Sequence, residues 1–168
     1  MRFASLGSGS RGNSTLVDSG KTSLMIDCGF SRREVERRLS DLDFLAERLD
    51  AILVTHEHSD HISGVVSLAE QFDIAVYATH GTVRASSLSS VSRLVRFNAG
   101  EQFLVGDILV QSVSVPHDSL EACQYCLSFE GATLGVLTDL GFVTKHVEEV
   151  FKCCDSLILE FNHDHNLL

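Results

Sequence analysis

The segment Thr55–His61, THEHSDH, directly follows the apolar run Ala51–Val54, and this junction restricts the chain more than any other feature. Four consecutive apolar residues, three of them branched, read as a buried strand. In the extended loop expected after it, residues two apart point the same way, so His56 and His58 can grip one cation. Asp60 and His61 are adjacent, diverge from that pair and can reach a second cation. Imidazoles with one carboxylate suit zinc, manganese or iron, whereas all-oxygen sites suit magnesium or calcium. Crowding so many ionisable groups into one turn is costly unless an ion pairs them. A solvated loop with chance histidines has no reason to follow a core strand.

Two later strand ends add donors. SVSVPHDS carries a strand out to His117, and LGVLTDLG carries another to Asp139. Loops leaving sheet ends are where α/β proteins present functional groups. With the first cluster these become a fifth and a sixth ligand, and Asp139 could bridge two ions.

A second motif competes for attention. LGSGSRG places Gly7, Gly9 and Gly12 as G-x-G-x-x-G, with Asp27 where a dinucleotide site wants an acid. That site needs its third glycine to open a helix facing a pyrophosphate. Gly12 instead leads into NSTLVDSGKTS, β-branched and glycine-punctuated, which makes a strand and a turn. G-K-S/T is absent as well, so no P-loop forms. The glycines are better suited to a tight turn joining the first two strands.

The remaining pattern is mixed. Strands are expected at 2–6, 13–18, 22–27, 51–54, 74–78, 93–97, 102–104, 107–115, 122–130, 132–138 and 156–161. Helices are expected at 31–39, where Ser31 and Glu34 have capping-box spacing, and at 63–72, 81–90 and 144–154. The class is α/β (or α+β) with a mixed sheet. At 168 residues the chain suits one domain, 1–168, with a real core. No apolar run approaches the ~20 residues of a membrane span, and the start lacks a signal peptide's apolar stretch. Five scattered cysteines do not suggest a disulfide framework, which points to the cytoplasm. Cys123 and Cys126 are three apart in a strand and so face opposite sides, which suits packing rather than a shared metal; Cys153 and Cys154 are expected to pack too. A net charge of −10 argues against nonspecific polyanion binding through the overall field. Arg11, Arg32, Arg33, Arg37 and Arg38 cluster either as a solvated helix face with a Glu34–Arg38 pair or as a phosphate-facing rim. His80 follows a strand end, where it either borders the cleft or takes a surface or helix-capping position, the second being the favoured reading.

H-x-H-x-D-H followed by a distant histidine and a distant aspartate resembles the signature of the metallo-β-lactamase superfamily, here His56, His58, Asp60, His61, His117 and Asp139. MIDCG (25–29) resembles that superfamily's first motif, which implies that Asp27 is a structural brace beneath the histidine loop. SLGSGSRGNSTLV, THEHSDHISGV, VYATHGT and LEFNHDHNLL are similar to the YycJ/VicX-like branch, related to tRNase Z. The resemblance implies an αββα four-layer sandwich of two similar halves, with much of the second half incomplete at this length and a last ligand histidine lacking. Apolar surface left uncovered would invite pairing into a homo-oligomer. It also implies two divalent ions, Zn²⁺ or Mn²⁺ with iron as an option, and 5′→3′ exonuclease action on DNA rather than RNA. Asp60 is then a ligand able to accept a proton, His163 a site-lining proton donor, and Arg11 and Asn13 substrate contacts. Two alternatives stay open: a hydrolase of a small ester, lactone or thioester on the same metals, and a catalytically impaired metal-binding protein.

Overall fold

The structure, a computed structural model, describes residues 1–159. Six strands form the first sheet in chain order: β1 (Arg2–Gly7), β2 (Ser14–Asp18), β3 (Ser23–Ile26), β4 (Ala51–Leu53), β5 (Ala75–Thr79) and β6 (Leu94–Phe97). The first three are antiparallel and the last four parallel. The second sheet runs β11-β10-β9-β8-β7, from β7 (Gln102–Val105), β8 (Ile108–Ser114), β9 (Cys123–Phe129), β10 (Ala132–Leu137) and β11 (Ser156–Leu159). It is antiparallel except for the β10–β11 pair.

Period-two alternation sorts the side chains into layers. Val17, Leu24, Ile26 and Leu53 point toward the second sheet and meet Ile108, Val110, Tyr125 and Leu134. Their neighbours Leu16, Met25 and Ile52 point the other way, into an apolar layer with Val35, Leu39, Val65 and Leu68. These last residues come from α1 (Arg32–Ser40) and α3 (Val65–Phe72). Two short helices, α2 (Ser59–Ile62) and α4 (His80–Arg84), belong to the same half. On the far face of the second sheet Val113, Cys126 and Leu137 pack with Val147 and Phe151 of α5 (Lys145–Phe151). The layers are therefore helix, sheet, sheet, helix, as expected for an αββα sandwich.

The expected elements form, with four local differences. Residues 59–62 leave the extended path and close one helical turn, because the amide of Cys28 takes the His61 carbonyl (2.8 Å) and Gly64 N–H takes the Cys28 carbonyl (2.8 Å). The helix expected over 81–90 breaks after Arg84, where Ser86 caps a short 3₁₀ turn by accepting from Leu88 N–H. The helix expected to reach 154 ends at Phe151, and Cys153 is exposed rather than packed. Ser31 does cap α1, but Glu34 turns its carboxylate to Arg37 (2.8 Å) and Arg38 (2.7 Å) instead of closing a capping box. Cys123 and Cys126 do face opposite sides, one between the sheets and one toward α5.

Candidate metal centre

The chain turns beneath β4 on Asp27, which adopts a left-handed φ of 58°. That conformation carries a steric cost for a non-glycine residue, and its carboxylate shows the return. Oδ1 accepts from Thr55 N–H (2.8 Å), while Oδ2 accepts from the Thr55 hydroxyl (2.7 Å) and from His61 Nδ1 (2.8 Å). Asp27 is 3% exposed, so these bonds operate without competing water. Gly29 beside it has no room for a side chain: a Cβ there would lie 1.7 Å from the Asp60 carbonyl oxygen. The same carbonyl accepts from Asn13 N–H (2.8 Å), which binds the turn after β1 to the histidine loop.

Three imidazoles converge above this floor. His56 Nε2 lies 3.0 Å from His58 Nδ1; His117 Nε2 lies 3.2 Å from the first and 3.3 Å from the second. Their outer nitrogens are each engaged, which fixes the tautomers. The Thr55 hydroxyl gives its proton to Asp27, so at 3.0 Å it accepts from His56 Nδ1–H. His58 Nε2 faces the Asp118 carbonyl (3.2 Å), and His117 Nδ1 faces the Asp118 carboxylate (3.3 Å). Three lone pairs then point at one another across a gap that hydrogen bonds among them cannot fill. A tetrahedral ion with metal–nitrogen bonds of about 2.0–2.1 Å would hold its nitrogens about 3.3 Å apart. The donor set fits a divalent ion.

A second group lies behind the first. His56, His61 and Asp139 hold donor atoms within 4.8 Å of one another, and His61 Nε2 is 3.1 Å from Asp139 Oδ2. Asp60 Oδ2 is 3.7 Å from His61 Nε2. Burial pulls the His61 pKa down, but the Asp27 and Asp139 carboxylates on its two nitrogens overcome that and raise it to about 10. His56, desolvated beside that positive ring, is lowered to about 3 and keeps its lone pairs. Asp139 is held below the usual carboxylate range: burial opposes ionisation, but its bond to His61 and the His61 charge prevail. In the protein alone, His61 carries the positive charge that this acidic pocket requires. A metal ion would replace it.

All six expected ligands thus meet at one end of the sandwich. His56, His58, Asp60 and His61 follow β4 of the first sheet, whereas His117 follows β8 and Asp139 follows β10 of the second. Asn13 is placed differently from the expectation of a substrate contact. It is 6% exposed, and its side-chain amide accepts from Gly9 N–H (2.8 Å) and lies 3.2 Å from Asp60 Oδ2 and 3.0 Å from His61 Nε2. Its amide is used within the loop. Arg11 is exposed at the tip of the glycine turn. Of the other arginines, Arg32, Arg37 and Arg38 are drawn into pairs with Glu36, Glu34 and Asp41. His163 lies outside the described residues. Sequence reasoning misses Thr55 and Asp118, whose signal is only a polar group adjacent to a ligand histidine.

A family profile described as "Beta-lactamase superfamily domain" matches residues 22–167. An exodeoxyribonuclease named WalJ from Streptococcus pneumoniae is 34% identical over 99% of this chain and 64% of its own length. An exodeoxyribonuclease named YycJ from Bacillus anthracis is 33% identical over 100% of this chain and 65% of its own. The chain therefore spans a little under two thirds of these relatives. A solved metallo-β-lactamase of Cronobacter sakazakii shares the fold, with a TM-score of 0.67 at 16% identity over 88% of this chain and 73% of that one.

Proposed function

The chain belongs to the β-lactamase superfamily, and from that premise we propose that it is a metal-dependent phosphodiesterase acting as a DNA exonuclease with 5′→3′ polarity. The observation that carries the reading is the convergence of His56, His58 and His117 on one point with His61 and Asp139 immediately behind. The similarity to proteins named exodeoxyribonucleases, spread along the whole chain, favours DNA over RNA and over a small ester or lactone. His56, His58 and His117 would hold one ion, and Asp60, His61 and Asp139 a second, with zinc or manganese the best match to these donors.

Divalent ions bound there would lower the pKa of a coordinated water and neutralise charge on a phosphoryl group. The protein's own contribution is to position and to exclude. Thr55, the Asp118 carbonyl and the Asp118 carboxylate orient the three imidazoles before any ion arrives, so no reorganisation is required on binding. Asp27 holds His61 from behind and leaves its Nε2 facing the cleft. Asp60 turns a carboxylate toward the same space and could accept a proton from the attacking water. Among the described residues, no helix is long and apolar enough to cross a membrane.

The test is release of nucleotides from 5′-labelled duplex DNA by the chain loaded with zinc or manganese, run beside a panel of esters and lactones. Stepwise release from the 5′ end that chelation abolishes is the expected result. Turnover of the esters with none of the nucleic acid would overturn the nuclease reading.

A further inference from the structure

The loop that follows His117 also packs against a second feature, the start of α4. Where β5 ends, Thr79 caps α4 by accepting from Thr82 N–H, and its hydroxyl donates to the Glu121 carbonyl (2.9 Å). This brings the start of α4 against the loop that carries His117. The approach is close enough that a Cβ at Gly81 would lie 2.4 Å from Glu121 Cβ. Leu120, in the same loop, donates its N–H to the carboxylate of Glu57, the residue between His56 and His58 (2.6 Å). A cavity of about 390 Å³ opens beside this junction, lined by His80, Gly81, Arg84, Leu120 and Glu121. A second of about 350 Å³ shares His80 and Arg84 and continues to Ser86, Ser89 and Arg96.

The two cavities together are lined by two arginines against one carboxylate. Glu121 is that carboxylate, and both of its oxygens are engaged by backbone amides, Gly81 N–H (2.6 Å) and Ala99 N–H (3.3 Å). Glu101, which lies near His80, accepts from the Asn98 side chain (2.6 Å). Among the described residues neither Arg84 nor Arg96 has an ion pair, although the chain holds 23 acidic side chains. By contrast Arg93, close by in sequence, pairs with Asp73. Arg96 shares its face of β6 with Leu94, which packs into the helical layer, so the edge strand aims this arginine toward α4. Two unpaired guanidiniums, an imidazole and two hydroxyls around one groove match phosphate oxygens, which Arg binds through its planar fork.

We infer that His80, Arg84 and Arg96 form a phosphate-binding track that holds the nucleic-acid backbone several nucleotides away from the metals. This rests on the phosphodiesterase reading above and adds a site to it. The track positions the strand and takes no part in the chemistry. It also reconciles a polyanionic substrate with a chain of net charge −10, because the attraction is local to one groove.

The experiment compares the unaltered chain with the Arg84→Ala/Arg96→Ala double variant and with Arg33→Ala, an exposed arginine on α1. A fluorescein-labelled 20-base-pair duplex is titrated by anisotropy in EDTA over a range of salt, so that binding is read without turnover. Each phosphate contact contributes about 0.9 to the slope of log affinity against log salt, so the double variant should lose about 1.8 while Arg33→Ala keeps the slope of the unaltered chain. With metal restored, the double variant should show a KM for duplex raised roughly tenfold or more. Its turnover of bis(p-nitrophenyl) phosphate, too small to reach the track, should be unchanged, as should its melting temperature. An unchanged salt slope in the double variant, or an equal loss in Arg33→Ala, overturns the track. Absence of metal-dependent nucleotide release by the unaltered chain overturns the phosphodiesterase reading instead, and the two failures are distinguished by that control.

Discussion

The two ligand groups at the centre are built on opposite principles. His56, His58 and His117 rest their outer nitrogens on a hydroxyl, a main-chain carbonyl and an exposed carboxylate, leaving their inner nitrogens turned toward one another. His61, Asp60 and Asp139 form a charge cluster, and His61 is fully buried with carboxylates at both nitrogens. The first group would capture an ion through nitrogens already turned toward one point. The second is bound into the folding of the chain, because its aspartate partner also holds the loop that bears every other ligand of the first sheet. Loss of the first group should therefore cost metal, and loss of the second should cost structure.

The largest effect is expected at Asp27. Asp27→Ala strips Thr55 and His61 Nδ1 of their buried acceptor and leaves Asp139 as the close carboxylate on the ring, which should destabilise the metal-free fold by about 3 kcal/mol. Urea denaturation measures this directly, and a variant as stable as the parent would erase the distinction between the groups. Next is Gly29→Ala, whose methyl would collide with the Asp60 carbonyl. A shifted backbone should cost about 1–3 kcal/mol and release the ion of the second group before that of the first. Ion content by mass spectrometry in native buffer would show the order.

A pH series sharpens the same contrast. The folded pKa of His61 is raised from 6.5 to about 10, so its stabilisation of the metal-free protein is complete below 6.5 and is lost as pH rises toward 10. Melting temperatures should decline across that window in the parent and decline less in His61→Gln. Smaller in stability are His117→Ala, at about 1 kcal/mol for a largely covered ring, and Asp118→Ala, within about 0.5 kcal/mol at an exposed carboxylate. The first should still abolish one equivalent of bound zinc. The second, at a carboxylate open to solvent, should weaken zinc by about tenfold in a competition titration.

How much of this is legible in the sequence depends on whether a residue's role is local. His56, His58, Asp60 and His61 are readable because a buried strand and a polar loop of fixed spacing are adjacent in the chain. His117 and Asp139 are weak signals alone and become candidate ligands only through the distant pattern. The burial of Asn13 is hidden in the sequence, because the contacts that produce it run to Asp60, remote along the chain. The helical turn at 59–62 is equally hidden: its hydrogen bonds run to Cys28, and no periodicity within four residues encodes them. The break after Arg84 is obscured for a related reason, since a serine cap competes with a helix only by a local preference.

Tyr125 gives the architecture a mechanical consequence. Fully buried on β9, it sends its hydroxyl across the interior to the Val54 carbonyl (2.6 Å), while Cys123 N–H reaches the Thr55 carbonyl (3.0 Å). The loop bearing four candidate ligands is thereby registered against the sheet bearing the other two. An ion held by donors from both sheets would act as a rivet: each tenfold rise in its free concentration above Kd would stabilise the docked fold by about 1.4 kcal/mol. The reverse holds too, so a void opened at Leu127, remote from any ligand, should loosen the grip on the ion. Metal affinity would then serve as a strain gauge for the seam between the sheets.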